Sequence, residues 1–505
     1  MDNTPILVGV GQFTERVGDA GYQGLSPVEL AVQAARQALR DCGVSELAVD
    51  VVATTRTFED SLPQPAPFGK TDNFPRALAR HLGSAPAQAY WEQMGGNTPQ
   101  QLVNHFAERL ARGQGTLVLL AGAEAISTVR HLLATGQRRD WNERLREPVD
   151  DQGSAWNRLL TAELAAHRLA NIPAAYALLE NARRARLQLD RSDYALQMGE
   201  LFAPLTHVAA ANPYSATRQT GATAHQLTTV TEHNRLIAEP YPLHLVARDQ
   251  VNQAAALVLT TVAKARALRI DPRKWLYLNG YADLVERDVL DRPDLGAYPA
   301  GVAASKAALR AAHVTTEHVQ FWDFYSCFPI AVSSVAQDGL GLAADNPRGL
   351  TVTGGLPYFG GPGNNYSMHA IATMAEKLRS APGTFGFVGA NGGFLSKYSV
   401  GVYTTTPKRW QAHNSASLQQ ELDAVPAPPR ESAPNGSATI ETATVVFAKG
   451  QPDYAVAVGR MHSNQGRFVA IASDSATVSQ LLAADPLGRT ISVQAQASQN
   501  HFRLG

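Results

Sequence analysis

The sequence predicts an α/β protein: a duplicated β/α body followed by a small antiparallel β-rich domain. Three observations lead there. Strand and helix patterns alternate over residues 5–122, which calls for parallel strands with covering helices. The same pattern returns about 270 residues later in this 505-residue chain, the mark of an internal repeat. Beyond residue 438 the helical period gives way to short alternating strands.

Residues 5–11 (Pro-Ile-Leu-Val-Gly-Val-Gly) read as a short buried strand with a glycine exit. Ser26-Pro27 opens a helix, because serine caps well and proline fits the first turn. Val28, Leu30, Ala31, Ala34, Ala35, Ala38 and Leu39 form its apolar face, and Gly43 ends it. A valine-rich strand follows at 48–54. A second helix runs from Pro99 to Arg112, with Leu102, Val103, Phe106 and Leu110 on one side, and feeds a strand over 116–122. In the repeat, Leu39-Arg40 returns as Leu309-Arg310. At an offset of 268, Gly95, Asn97, Glu108 and Gly115 return as Gly363, Asn365, Glu376 and Gly383. One such match is chance, but several in one order at nearly one offset are a duplication. Residues of about 130–245 form an insert of arginine-rich helical stretches and loops without a strong motif. Residues 424–438 are rich in proline and serine, and strands at 439–447, 454–460, 467–472 and 490–497 follow them. The expected domains are an N-terminal half (1–270, with the insert), a C-terminal half (271–410), a linker (411–438) and a small β-rich, OB-like unit (439–505).

Composition narrows the function. Basic and acidic residues balance at 44 each, so neither a nucleic-acid partner nor an acidic-lipid patch is expected. Charged residues are 17% of the chain, below the ~25% of typical soluble proteins, which suits a large packed core. Two cysteines, Cys42 and Cys327, make neither a disulfide framework nor a cysteine zinc site and fit a reducing, cytoplasmic compartment; no metal is expected. The first residues lack a secretory leader pattern, and the longest apolar runs, such as 116–123, are too short to span a bilayer. There is no P-loop, no H-E-x-x-H and no G-x-S-x-G. Gly9-Val10-Gly11 lacks the third glycine of a dinucleotide fingerprint, and the glycine-rich segment 354–363 lacks the lysine of a phosphate cradle.

Glycine-rich turns preceding a helix in both halves point further. Gly95-Gly-Asn-Thr-Pro-Gln100, Gly122-Ala-Glu-Ala125, Asn234-Arg-Leu-Ile-Ala-Glu-Pro-Tyr241, Asp249-Gln-Val-Asn-Gln-Ala-Ala-Ala256, Asp323-Phe-Tyr-Ser-Cys-Phe-Pro329 and Ala390-Asn-Gly-Gly393 together resemble the thiolase superfamily over residues 4–405. The resemblance lies nearest the sterol-carrier-protein thiolases, and the C-terminal unit resembles the extra domain of thiolase-like proteins of type 1. It implies an α-β-α-β-α sandwich of two mixed five-stranded sheets, with active-site loops from both halves meeting at the sheet ends. It also implies acetyl-CoA acetyltransferase-like chemistry on acyl-CoA, a place in lipid metabolism, and a coenzyme A thioester as substrate or ligand with no bound cofactor. Family members dimerise through the N-terminal half; the extra domain leaves both a homodimer and a monomer open.

Against that pattern the catalytic loops are altered. The nucleophilic cysteine position falls on Gly95 or Gly96. Tyr325 replaces the Asn or His that holds the oxyanion water, and Cys327 takes a packing position. The His of the G-H-P loop is lost at Gly360-Gly361-Pro362, and the second cysteine becomes Ala390 or Asn391. Candidate catalytic residues are Tyr325 as acid or oxyanion donor, His369 as base, and Asn391. Candidate substrate-binding residues are Gly95, Gly96, Asn97, Gly361, Asn364, Asn365, Lys397 and Tyr398. Each has an ordinary alternative: an anchored tyrosine, a capping histidine, turn-forming asparagines, a solvated lysine. The Arg183-Arg184-Arg186 run is either a solvated helix face or a contact for CoA phosphates. Two functions follow: an acyltransferase or carbon–carbon bond-forming or -cleaving enzyme working without a cysteine nucleophile, such as a retro-aldol lyase on CoA thioesters, or a degenerate thiolase that binds acyl-CoA or lipid without turnover.

Overall fold

A computed structural model describes residues 2–61 and 65–504. Ten strands form one mixed sheet in the order Val319–Phe324, Phe385–Gly392, Lys397–Thr404, Leu276–Val285, Pro5–Thr14, Gln253–Thr261, Leu117–Glu124, Val51–Thr54, Gln88–Trp91 and Asp150–Asp151. The two repeats meet at its centre, where Ile6 and Leu7 pair antiparallel with Tyr277 and Leu276. The duplicated α/β body is therefore as expected, but its strand count is not. The first half supplies five strands plus the two-residue edge strand, and the second supplies four, joined edge to edge rather than separate.

The layers follow from which helix faces are apolar. The Pro27–Cys42 helix carries the Ser26 capping box and lies on one outer face; the Pro299–Ala312 helix, without a side-chain cap, covers the second half. Between the half-sheets run the Thr98–Ala111 and Tyr366–Ser380 helices. Their Leu102, Phe106, Met368, Ile371 and Met374 side chains share one core with residues of both halves. This central layer is why the glycine turns before those two helices come together.

The C-terminal unit is a closed barrel of Asn435–Ala448, Gln451–Met461, Arg467–Ala472, Gln499–Leu504 and Thr490–Gln496. Val446 bridges to Ala238 of the insert, so the barrel sheet continues onto the body. The segment 411–438 contains the helix Ala416–Ala424, whose Gln419 exchanges hydrogen bonds with the Val285 backbone. No helix among the described residues is long and apolar enough to cross a membrane.

Candidate active site

Four loops converge where the central helices begin. Gly95 and Gly96 precede the Thr98–Ala111 helix, Tyr325–Phe328 follow a strand, Gly361–Asn364 precede the Tyr366–Ser380 helix, and Asn391–Phe394 close the Phe385–Gly392 strand. They surround a cavity of about 390 Å3. Apart from the carboxylate of Asp249, the rest of its wall is apolar and comes largely from the insert: Trp156, Leu159, Ile172, Pro173, Ile237, Leu243 and Val246. Ile172 and Leu243 keep about 40% of their surface exposed.

The polar end is built on backbone anchors. Asp323 Oδ2 accepts from the Thr351 and Thr353 hydroxyls and the Val352 and Thr353 amides, and Tyr325 N donates to Gly389 O at 2.9 Å, which sets the Tyr325 loop. Glu180 Oε2 accepts from Ile330 N at 2.8 Å, pinning the helix after that loop. Tyr325 stacks edge-on against Tyr366, and its hydroxyl has no hydrogen-bond partner among the described residues. A Cβ built on Gly96 would lie 2.3 Å from that hydroxyl oxygen. The tyrosine thus fills the space a side chain at position 96 would take. A Cβ on Gly95 would instead meet Asn97 Oδ1, and its φ of +150° suits glycine. Both glycines line the cavity, and Gly96 is the one whose side-chain space Tyr325 occupies.

Titration follows burial. Desolvation holds the Tyr325 hydroxyl well above the usual phenol range, so it stays protonated. Cys327 lines the cavity, but burial raises its thiol to about 12, leaving no thiolate at neutral pH. Asn391 Nδ2 donates to Tyr176 Oη at 2.8 Å and Oδ1 accepts from Tyr298 Oη at 3.1 Å, so its amide is spent on holding the loop. Asn364 Oδ1 accepts from Gly95 N at 2.9 Å, while its Nδ2 donates to Arg56 O, tying both halves together.

The other candidates are dispersed. Asn365 Nδ2 donates to Gly122 O at 2.7 Å. Asn97 and Lys397 line a second cavity of about 230 Å3 with Asp283, and Lys397 Nζ reaches Met94 O at 3.3 Å. Tyr398 is buried edge-on against Tyr298. His369 does not line the 390 Å3 cavity. It is wholly buried, its Nδ1 lies 2.8 Å from Gln12 Oε1, and burial lowers it to about 3, so it stays neutral. Of the arginine run, Arg183 and Arg184 are buried and Arg186 is exposed, and all three are paired: Arg183 and Arg186 with Asp338, Arg184 with Asp485 of the C-terminal unit. Sequence reasoning missed Tyr176, which stacks on Phe328 and donates to Gly393 O at 2.6 Å; the insert gave it no motif to stand in.

Residues 417–498 match the family model described as the thiolase-like protein type 1 additional C-terminal domain. A monomeric SCP2-thiolase-like protein type 1 from Mycobacterium smegmatis is 42% identical, with full coverage of both chains and a TM-score of 0.85. The Ltp2-ChsH2(DUF35) aldolase is 18% identical, covering 80% of this chain and 98% of its own, at a TM-score of 0.57. Acetyl-CoA acetyltransferase from Syntrophomonas wolfei is 14% identical, covering 80% of this chain and 100% of its own, also at 0.57. The last two likenesses are of fold. No curated protein matches the sequence.

Proposed function

Because the chain belongs to the SCP2-thiolase-like proteins of type 1, we propose that it makes or breaks a carbon–carbon bond of an acyl-CoA thioester held in the 390 Å3 cavity, without a covalent acyl-enzyme. The observation that carries this reading is the Tyr325 hydroxyl: protonated, unpartnered among the described residues, and seated where a side chain on residue 96 would be. In the cleaving direction, a 3-hydroxyacyl thioester gives its hydroxyl proton to Asp249, the one carboxylate on the described wall. The C2–C3 bond breaks, the carbonyl product leaves, and the electron pair moves onto the thioester oxygen as an enolate. Tyr325 donates a hydrogen bond to that oxygen or its proton to C2. The N-terminal end of the Thr98–Ala111 helix adds a favourable field for the anion.

Product analysis by mass spectrometry with acyl-CoA, 3-ketoacyl-CoA plus CoA, and 3-hydroxyacyl-CoA tests the reading, with intact-protein mass recorded alongside. Tyr325→Phe is expected to lower turnover at least ~100-fold with ligand retention unchanged, whereas Cys327→Ala keeps most of it. An acyl adduct on the protein would sink the noncovalent mechanism.

A second reading is binding without turnover. What favours it is that Tyr176, Tyr325 and Cys327 on the described wall are all driven up, away from neutrality, by burial. Tight retention of CoA esters with no product from any panel would select it.

A further inference from the structure

The C-terminal barrel contributes to two cores. Successive residues of a strand alternate between its faces, and Ala443, Val445, Ala455, Ala457, Phe468 and Ala470 fill the barrel's own interior. The alternate positions Val446, Tyr454, Val456, Val458, Val469 and Ile471 are at most 5% exposed, yet they lie outside that interior. They belong to the core that holds Tyr176, Tyr325, Phe328 and Phe394, four residues of the 390 Å3 cavity wall. An apolar outer stripe of this kind needs a partner surface, and here the insert supplies it.

The insert elements that bear the barrel are the ones that wall the cavity. In the helix Ile172–Arg186, Ile172, Pro173 and Tyr176 line the cavity. A turn further on, Leu178 O accepts from Thr442 Oγ1 at 2.6 Å, and Asn181 Nδ2 donates to Ala443 O at 3.0 Å. In the strand Leu236–Ala238, Ile237 lines the cavity. Next to it, Ala238 pairs with Val446, Glu239 N donates to Val445 O at 2.9 Å, and Glu239 O accepts from Thr444 Oγ1 at 2.8 Å. Thr442, Thr444 and Val446 share one face of a single barrel strand, so that face meets both wall elements. None of the three lines the cavity itself. Close-packed interiors transmit small displacements instead of absorbing them, so the seat of this strand fixes the position of the wall.

We infer that the barrel is part of the acyl site: Thr442, Thr444 and Val446 are positioning residues that set where the insert wall stands, and so which size of apolar acyl group the cavity accepts. This rests on the acyl-CoA reading above and gives the C-terminal unit a role in specificity. Calorimetry on the full chain with acetyl-, hexanoyl- and dodecanoyl-CoA tests it by binding alone, without turnover. Two variants loosen the seat. Thr442→Val/Thr444→Val deletes both hydroxyl bonds with little change of shape, and Val446→Ala removes volume from the shared core. Val493→Ala, inside the barrel's own core, is the comparison, and thermal melts show how far each variant is destabilised. The expected result is a change of at least ~tenfold in the affinity ratio of shortest to longest ester in either folded wall variant, the scale on which apolar pockets discriminate. The ratio should stay at the parent value in Val493→Ala. An unchanged ratio in the folded wall variants, or an equal change in Val493→Ala, would overturn the inference and leave the acyl-CoA reading standing. A parent protein that binds none of the three esters would overturn that reading, and the inference with it.

Discussion

At residue 96 a cysteine would be excluded by volume. A Cβ there would sit 2.3 Å from the Tyr325 hydroxyl and 2.6 Å from the Asn391 carbonyl oxygen, and the second of these is backbone that cannot swing aside. Gly96→Cys is therefore expected to cost ~1–3 kcal/mol, the usual range for overpacking. It should lower the melting temperature without creating an acylatable thiol. Adding Tyr325→Ala should recover part of that loss and let iodoacetamide reach the new cysteine, read by intact mass. A Gly96→Cys protein as stable as the parent would mean that Tyr325 does not fill this space. A second residue carries a pH signature. The Asp283 carboxyl accepts from Asn104 Nδ2 at 3.1 and 3.0 Å, yet burial, with lesser contributions from Glu108 and Glu92, raises it to about 7. Unfolded, it titrates near 3.8. The native state thus holds the proton longer than the unfolded one, and stability falls as pH rises from about 4 through about 7. Asp283→Asn removes this slope. Its advantage over the parent should grow across that window by at most ~4 kcal/mol, and by less because the side chain faces the smaller cavity. Urea midpoints from pH 4 to 8 check the sign: an unchanged difference between the two proteins would show that Asp283 does not titrate there.

Among the elements, the barrel is held to the body by buried charge. Arg467 is fully buried and donates to Glu441 and to the carbonyls of Leu290, Arg292 and Pro293, so one guanidinium joins barrel and body. Arg467→Ala leaves Glu441 and those carbonyls unmatched and is expected to cost ~3–5 kcal/mol. Arg460→Ala, on the partly exposed Arg460–Glu441 pair, should cost under ~1 kcal/mol. Thermal melts separate them, and equal effects would show that the contact is not buried in solution. This docking also shows what a sequence can and cannot convey. The Arg467–Ala472 strand was legible to the residue because it is a compact apolar run between turns. The Gln499–Leu504 strand was not, since only Asn500 and Phe502 are buried in a polar stretch. Proline and serine masked the Ala416–Ala424 helix beside them. The glycines of the cavity loops were legible because backbone approach leaves a residue-type trace. The apolar wall from the insert was not, because Trp156, Ile172 and Tyr176 meet only through tertiary packing. His369 misled for the same reason: helical position fixed its depth along the helix but not its distance from the cavity.

For the molecule as a whole, oligomeric state turns on one edge. The outermost full strand of the first half, Gln88–Trp91, would present unpaired amides and carbonyls to a second copy if left bare, and the thiolase resemblance implies dimers through this half. Here the chain covers that edge itself. Tyr90 and Trp91 pair in parallel with Asp150 and Asp151, and Gln152 N donates to Trp91 O at 3.0 Å. Arg56 locks the cover: its guanidinium stacks 4.1 Å above the Trp91 ring, pairs with Asp151 and donates to Gly153 O at 3.1 Å. A strand edge half paired and capped by a stacked arginine offers only the short Gln88–Ala89 stretch to a partner. The expected solution state is a monomer of 54.1 kDa, unchanged from low micromolar concentration upward in sedimentation velocity. Arg56→Ala removes both the stacking and the Asp151 partner, so the cover should loosen and dimers should appear as concentration rises. A parent protein that is already dimeric would place its interface on another face. A variant that stays monomeric while remaining folded would show that the Asp150–Asp151 pairing holds the edge without the arginine.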